Sequence, residues 1–249
     1  MMRRLLTVAA WLIVGHALAG GLFWELLQVP ESSIAALALS AFIALLLIVL
    51  LAWVHGGALA ASRPEAAAGS ALRKGLLELP AVALGALLFL AVWWLTMRAA
   101  SWHTAYAGQI DAWIIARSGK SDTARLHAGI LWAIWFLRWG LGLTLALSLA
   151  AWSARDGVAA LKRTRWVASA LHPVRWLAVT ALVGLMLAIP WHYVYWRPTV
   201  LSINAEPWFV AAKLAAMVVL AALGWALVLR VVTPPVMPRV APPVTPPLS

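Results

Sequence analysis

Six stretches of this sequence are each apolar and long enough to cross a bilayer, and this feature limits the fold more than any other. A hydrocarbon core about 30 Å thick needs roughly 20 helical residues. Backbone polar groups in lipid must be hydrogen-bonded within their own segment, so each stretch predicts a spanning α-helix. The stretches are residues 5–27, 34–55, 79–97, 128–152, 176–195 and 208–230. They predict an all-α, polytopic transmembrane helix bundle.

The composition supports a membrane solvent. Hydrophobic residues make up 64% of the chain and charged residues only 11%, which is too little polar material to cover a soluble core. The absence of Cys excludes disulfide frameworks, thiolate metal centres and Cys nucleophiles. The net charge is +11, but the basic residues flank apolar spans, which favours contact with anionic lipid over nucleic acid.

Lysine and arginine are distributed unevenly between alternate connecting segments. Because basic loops stay in the cytoplasm, the imbalance predicts that both termini are cytoplasmic, in a multi-pass protein of a bacterial inner membrane. The richer, inner segments hold Arg3, Arg4, Arg63, Arg73, Lys74, Arg155, Lys162, Arg163, Arg165, Arg175, Arg230 and Arg239; the outer segments hold Arg98, Arg117, Lys120, Arg125 and Arg197.

The first span also has features of a secretory signal peptide. Arg3 and Arg4 precede an apolar stretch, and Ala17-Leu18-Ala19 is typical of a cleavage site. The apolar run nevertheless continues to Leu27, which is long enough to span. We therefore favour an uncleaved helix, with cleavage as the alternative.

Three segments between the spans have amphipathic patterns that predict interfacial helices. They are residues 65–79 and 156–174 on the inner side and the stripe Tyr106, Ile110, Trp113 and Ile114 on the outer side. For the outer segment a plain helical connector is an equal alternative. The residues expected to contact lipid headgroups are Arg73, Lys74, Lys162, Arg163 and Arg165.

The domain organisation has two further features. Trp152 repeats the position of Trp53 in segments 128–195 and 34–97, and each segment reads as a span, a basic inner helix and a span. This pattern is the basis of a parallel-repeat hypothesis within a membrane domain covering residues 1–232. Residues 233–249 are rich in proline, which predicts an extended or disordered cytoplasmic tail.

Charged residues inside spans are the main candidates for a binding site, because each needs a partner or a watery cavity. Arg138 lies deep in the fourth span, three residues from Trp135, within reach of a cation–π contact. An aromatic-walled outer cavity for an anionic group is one hypothesis, and pairing of Arg138 with Glu25 or a backbone carbonyl is the other. The candidate ligand-binding residues are Arg138, Lys213, Trp135, Trp139, His192, Glu25 and Glu206.

The histidines offer a weaker hypothesis of a haem or metal site. We expect His16 to have no partner at its depth and His55 to lie at an inner helix end, which leaves His127 and His192 as the only candidate pair. We predict no cofactor and no dedicated metal site. Asp111, Asp122, His103 and His127 share the outer segment, where an acid–base group could assemble.

No motif typical of hydrolases, kinases or dinucleotide-binding enzymes occurs in the sequence. We predict a protein without its own catalysis, acting as a transport-type or binding component for an anionic or amphiphilic ligand. The alternatives are a structural subunit of a larger membrane complex and a membrane-embedded enzyme or bis-His haem protein. Membrane lipids and other membrane proteins are the expected partners.

Overall fold

The computed structural model describes residues 2–30, 32–63, 67–119, 122–196 and 205–233, and this part of the chain folds into helices. The α-helices are α1 (Met2–Gln28), α2 (Ile34–Ser62), α3 (Ala68–Arg73), α4 (Leu79–Ser118), α5 (Ala124–Phe136), α6 (Leu143–Asp156), α7 (Arg165–Ala170), α8 (Pro173–Tyr195) and α9 (Glu206–Val232). Short 3₁₀-helices cover Gly75–Glu78 and Gly157–Lys162, and a π-helix, Leu137–Gly142, joins α5 to α6.

Six helical stretches in the described residues are long and apolar enough to cross a membrane. The first, second and last are α1, α2 and α9. The others are Gly75–Ser118, Ala124–Lys162 and Pro173–Pro190. Large apolar side chains along α2, such as Ile34, Phe42 and Ile48, are exposed, as expected for residues that face lipid. The predicted all-α bundle of six spans is confirmed.

Local sequence determines where α2 begins and where α4 ends. The Ser33 side chain accepts a hydrogen bond from the Ala36 amide at 3.2 Å, which caps the start of α2. Gly119 ends α4 with a φ of 67°, a left-handed conformation that favours glycine.

Helix α4 is much longer than a single crossing requires. Its 40 residues extend roughly 60 Å, about twice the thickness of the hydrocarbon core. The outer stripe of Tyr106, Ile110 and Trp113 is therefore part of α4 and not a separate interfacial helix. No proline interrupts the chain between Met97 and Ser118, so the helix continues beyond the span.

The connection between α2 and α4 packs tightly against the end of α2. It lies on the side of the bundle where α1 begins, which is called the inner side below, and the opposite side is called the outer side. A Cβ atom on Gly57 would lie 2.8 Å from the Leu72 carbonyl oxygen, and one on Gly56 would collide with the carbonyl oxygen of Gly75. Leu72 and Gly75 are accordingly buried, whereas Leu76 is exposed. The segment thus forms two short helical pieces in place of one amphipathic helix.

The core lies mainly between α1, α2 and α9. Val8 and Leu12 of α1, Val54 of α2 and Ala226 of α9 are buried in one cluster. A second cluster joins α8 and α9 through Val179, Val183, Val228 and Val232. The first helix is therefore an integral part of the bundle.

The two ends of the described bundle lie on the same side. Arg4 donates to the Arg63 carbonyl oxygen at 2.6 Å, and the Ser62 and Thr233 hydroxyls are 2.8 Å apart. The start of α1 and the ends of α2 and α9 are thereby joined, as an even number of crossings requires. The parallel repeat stays a prediction, and the proline-rich tail from residue 234 onward lies outside the described residues.

Candidate functional site

Arg138 lies on the π-helix of the fourth span and contacts α4. Its Nε–H donates to the Thr96 hydroxyl at 2.9 Å, and its guanidinium lies 4.5 Å from the centre of the Trp93 ring. The indole of Trp139 meets Trp93 edge-on at 5.4 Å. The cation–π partner is thus Trp93 on the neighbouring helix, in place of the expected Trp135. The hydrogen-bond acceptor is a hydroxyl, in place of Glu25 or a backbone carbonyl.

Lys213 has different partners, at the outer ends of α8 and α9. Its ammonium group donates to the Trp196 carbonyl oxygen at 2.8 Å and lies 5.3 Å from the centre of the Phe209 ring. Glu25, His192 and Glu206 are exposed on their helices. Among the described residues, the partners of Arg138 are Thr96 and Trp93, and those of Lys213 include Trp196 and Phe209.

Trp135 lies apart from the Arg138 contact. Its ring packs against Trp132 at 5.8 Å, and its far edge faces Gly184 of α8, where a Cβ atom would lie 3.9 Å away. Of the two deep tryptophans, only Trp139 therefore shares the aromatic cluster around Arg138.

An acid–base chain connects α4 and α5 beyond the third span. The Nε2–H of His127 donates to the Asp111 carboxylate at 2.6 Å. A carboxylate only accepts, so in a neutral His127 ring Nδ1 is the acceptor for the Nε2–H of His103, at 2.9 Å. Hydrogen bonds from the His127 and Thr123 side chains lower the pKa of Asp111.

This chain matches three of the four residues expected to assemble an acid–base group. Asp122 instead accepts from the Ala124 amide at 3.2 Å, at the start of α5. His127, which the sequence groups with His192 as the weak candidate pair for a haem or metal site, is hydrogen-bonded to His103. Within the described ranges, no three or more His, Asp and Glu side chains are arranged to hold a metal ion.

The His16 and His55 rings meet between α1 and α2, with ring centres 5.2 Å apart and edge-to-face packing. The expectation that His16 has no partner at its depth is therefore wrong. Helix α2 continues beyond His55 to Ser62, so His55 lies about 10 Å inside the helix and not at its end. Gly15 allows the close approach, because a Cβ atom there would collide with Val54.

Two cavities open along the seam between α1 and α9. A central cavity of about 370 Å³ is lined by His16, His55, Met186 and Trp225 among apolar residues. A second cavity, of about 560 Å³, lies at the inner end and is lined by Arg4, Ser62 and Arg230 together with apolar residues of α1 and α9. We call these the central cavity and the inner-end cavity.

The sequence predicts that Arg4 and Arg230 are topology determinants and does not indicate the cavity that they share. The signal that the sequence offers for these two residues is that each arginine lies at the edge of an apolar span. The proximity of the first and last helices could not be read from that signal.

The residues predicted to contact lipid headgroups lie on the surface of the inner connections. Arg73, Lys74, Lys162, Arg163 and Arg165 are all exposed. Arg163 also donates to Asp156 at 2.9 Å.

Comparison with protein-family models, with curated proteins and with solved structures found no match. The class of protein is therefore inferred from the helices of this chain alone. Six apolar helices within the described ranges indicate a multi-pass helical membrane protein.

Proposed function

We propose that this protein is a transport-type or binding component of a bacterial inner membrane, and that its ligand is an anionic amphiphile held in the inner-end cavity. One observation carries the proposal: apolar walls from α1 and α9 end at two arginines, Arg4 and Arg230. A volume of about 560 Å³ is in the range of small-molecule sites.

The arginines supply the recognition of an anionic headgroup. Guanidinium groups bind phosphate and carboxylate through paired N–H donors, and they remain charged in apolar surroundings. The hydrogen bond from Arg4 to the Arg63 carbonyl oxygen orients one guanidinium. Arg230 is exposed and forms no ion pair with the residues that the structure describes.

The walls supply the recognition of an apolar tail. Leu5 and Val8 of α1 face Ala226 and Leu227 of α9 across the cavity. Burial of apolar surface there is favourable by about 25 cal/mol per Å² relative to water. A charged head beside an apolar tail therefore fits the cavity better than a fully polar solute does.

The exposed cations of the inner connections support two parts of this proposal: that these connections are cytoplasmic, and that anionic lipids are partners of the protein. Arg73 and Lys74, together with Lys162, Arg163 and Arg165, would contact anionic lipid headgroups if that surface is cytoplasmic. Both termini would then be cytoplasmic, as the distribution of basic residues predicts.

Arg138 is the second candidate position for the same ligand. A π-helix is rare and occurs frequently at functional sites, and Arg138 lies within one. Its guanidinium, however, already has Thr96 and Trp93 as partners, so fixing α4 against the fourth span explains it without a ligand.

The test compares Arg230 with Arg138 by measuring how a substitution at each position changes lipid binding. Full-length protein would be titrated with phosphatidylglycerol and with zwitterionic phosphatidylcholine in mild detergent. We expect Arg230→Gln to weaken phosphatidylglycerol binding about tenfold, or roughly 1.4 kcal/mol, with little change for phosphatidylcholine. Arg163→Gln removes an exposed cation outside the lining of the cavity, so it is the control for unspecific attraction of anionic lipid to the protein surface.

The outcomes are distinct. A loss caused by Arg138→Gln, with Arg230→Gln unchanged, would place the ligand at Arg138. Equal binding of phosphatidylglycerol by Arg230→Gln, Arg138→Gln and the native protein would contradict the proposal. Stoichiometric retention of another membrane protein after purification would favour the structural-subunit alternative.

A further inference from the structure

The central cavity contains hydrogen-bonding groups that the fold does not use. The Nδ1 atom of His16 lies 2.7 Å from the Leu12 carbonyl oxygen. A carbonyl oxygen only accepts, so Nδ1 carries the hydrogen. In the neutral ring, Nε2 is therefore an acceptor with a fixed orientation.

His55 and Trp225 extend this set. His55 packs edge-to-face against His16 and against Trp225, at 5.2 and 6.0 Å, but forms no hydrogen bond with any residue in the described ranges. The indole N–H of Trp225 is buried and has no partner there either. Unpaired polar groups in an apolar interior are costly, so this concentration of them favours a ligand.

We propose that the central cavity binds a neutral, lipid-soluble aromatic ring that carries hydroxyl groups, of the quinol class. A ring hydroxyl would donate to Nε2 of His16 and accept from the imidazole N–H of His55. Edges of the imidazole and indole rings would pack against the ligand ring. This inference is independent of the anionic ligand proposed for the inner-end cavity.

The lining favours a neutral ligand. None of the residues described around the cavity carries a carboxylate, and Leu12, Ile13 and Val218 make most of its wall apolar. A metal cation there would lose hydration without a compensating negative charge, even with the thioether of Met186 nearby. A volume of about 370 Å³ is also larger than an ion needs.

The same geometry argues against a haem at this histidine pair. Two imidazoles that ligate one haem iron lie on opposite faces of the macrocycle. The His16 and His55 rings are in edge-to-face contact, which leaves no space for a macrocycle between them.

The direction of access also fits a ligand that arrives from the bilayer. His16 is exposed on α1, whereas His55 is half-buried behind it. A ring entering between α1 and α9 would reach His16 first, and an attached isoprenoid or alkyl tail would remain in lipid.

The experiment uses ligand and protein variants together. Full-length protein in lipid nanodiscs would be titrated calorimetrically with a decyl-substituted benzoquinol and with its dimethyl ether, which lacks the hydroxyl donors. We expect saturable quinol binding, at least tenfold weaker binding of the ether, and no preference between the two in His16→Phe. His192→Phe, on the outer part of α8 and outside the lining of the central cavity, is the control and should retain the native preference.

Three results would overturn the inference. They are equal binding of quinol and ether by the native protein, an unchanged preference in His16→Phe, and an equimolar transition metal that is lost in His16→Phe. If His16→Phe does not fold, the comparison of the two ligands on the native protein still decides. Failure of Arg230→Gln to affect phosphatidylglycerol would leave this result standing, since the two cavities are tested with different probes.

Discussion

Thr96 illustrates how one side chain can accommodate a charge within an apolar helix pair. Its hydroxyl hydrogen is directed at backbone carbonyl oxygens of its own helix, those of Val92 and Trp93, both at 2.9 Å. The hydroxyl oxygen is then available as an acceptor for Arg138. Trp93 adds its ring face, so the guanidinium has a hydrogen-bond acceptor and a cation–π partner that are not carboxylates. A charged residue inside a span therefore does not by itself indicate a ligand.

Asp111 allows a prediction on pH dependence. Because its folded pKa is lowered, its hydrogen bonds stabilise the α4–α5 connection above the ordinary carboxyl value of 3.8 and are lost as the pH falls through the lowered pKa. We expect hydrogen exchange across residues 103–127 to rise steeply under acid below about pH 4 in the native protein. In Asp111→Asn the exchange should already be fast at neutral pH and change less with acid.

The matched control for this measurement is Asp122→Asn, since Asp122 caps the same connection without contacting a histidine. If Asp111→Asn and the native protein responded to acid alike, the chain of Asp111, His127 and His103 would not stabilise this connection.

At the scale of elements, small residues decide how closely the helices pack. Gly56 and Gly57 of α2 meet the backbone of the inner connection, and Gly85 of α4 meets α6, where a Cβ atom would lie 2.8 Å from the Ala146 carbonyl oxygen. Between apolar helices in lipid, such close approach provides packing that the hydrophobic effect does not. The glycines therefore determine which helix faces meet.

Gly75 offers the clearest test of that packing. A Cβ atom there would lie 2.6 Å from the Gly57 amide nitrogen and would collide with the Trp53 carbonyl oxygen. Backbone atoms cannot move aside cheaply, so we expect Gly75→Ala to destabilise the protein by about 1–3 kcal/mol in thermal unfolding.

Gly69→Ala is the control, because nothing lies within 4 Å of its Cβ position on α3. It should be neutral or stabilise by up to about 1 kcal/mol through helix propensity. Similar unfolding temperatures for the two variants would contradict the proposed close packing of α2 on the inner connection.

At the scale of the whole molecule, the first helix closes the bundle. Helix α1 contributes Val8, Ala9 and Leu12 to the core that α2 and α9 share, and it forms one wall of both cavities. Loss of α1 through cleavage after Ala19 would expose this core and remove one wall of each cavity. We therefore expect the mature protein to retain α1.

The absence of Cys makes the orientation directly measurable, because any introduced thiol is unique. Ser32 follows α1 and Ser70 lies on α3, and both residues are exposed. We expect a membrane-impermeant maleimide on intact cells to label Ser32→Cys, and to label Ser70→Cys only after disruption. The reverse pattern would contradict cytoplasmic termini.

The number of spans and several of their boundaries were determined by the sequence alone. Apolar length and cap residues such as Ser33, which directly precedes the second predicted span, act within a few neighbouring positions, so they can be read along the chain. The tertiary structure alone decided that His16 meets His55, that Arg138 meets Thr96, and that Arg4 and Arg230 share a cavity. These contacts join residues far apart in the chain. They depend on how far each helix extends and how it is rotated, and both are set by packing between helices that no local pattern encodes.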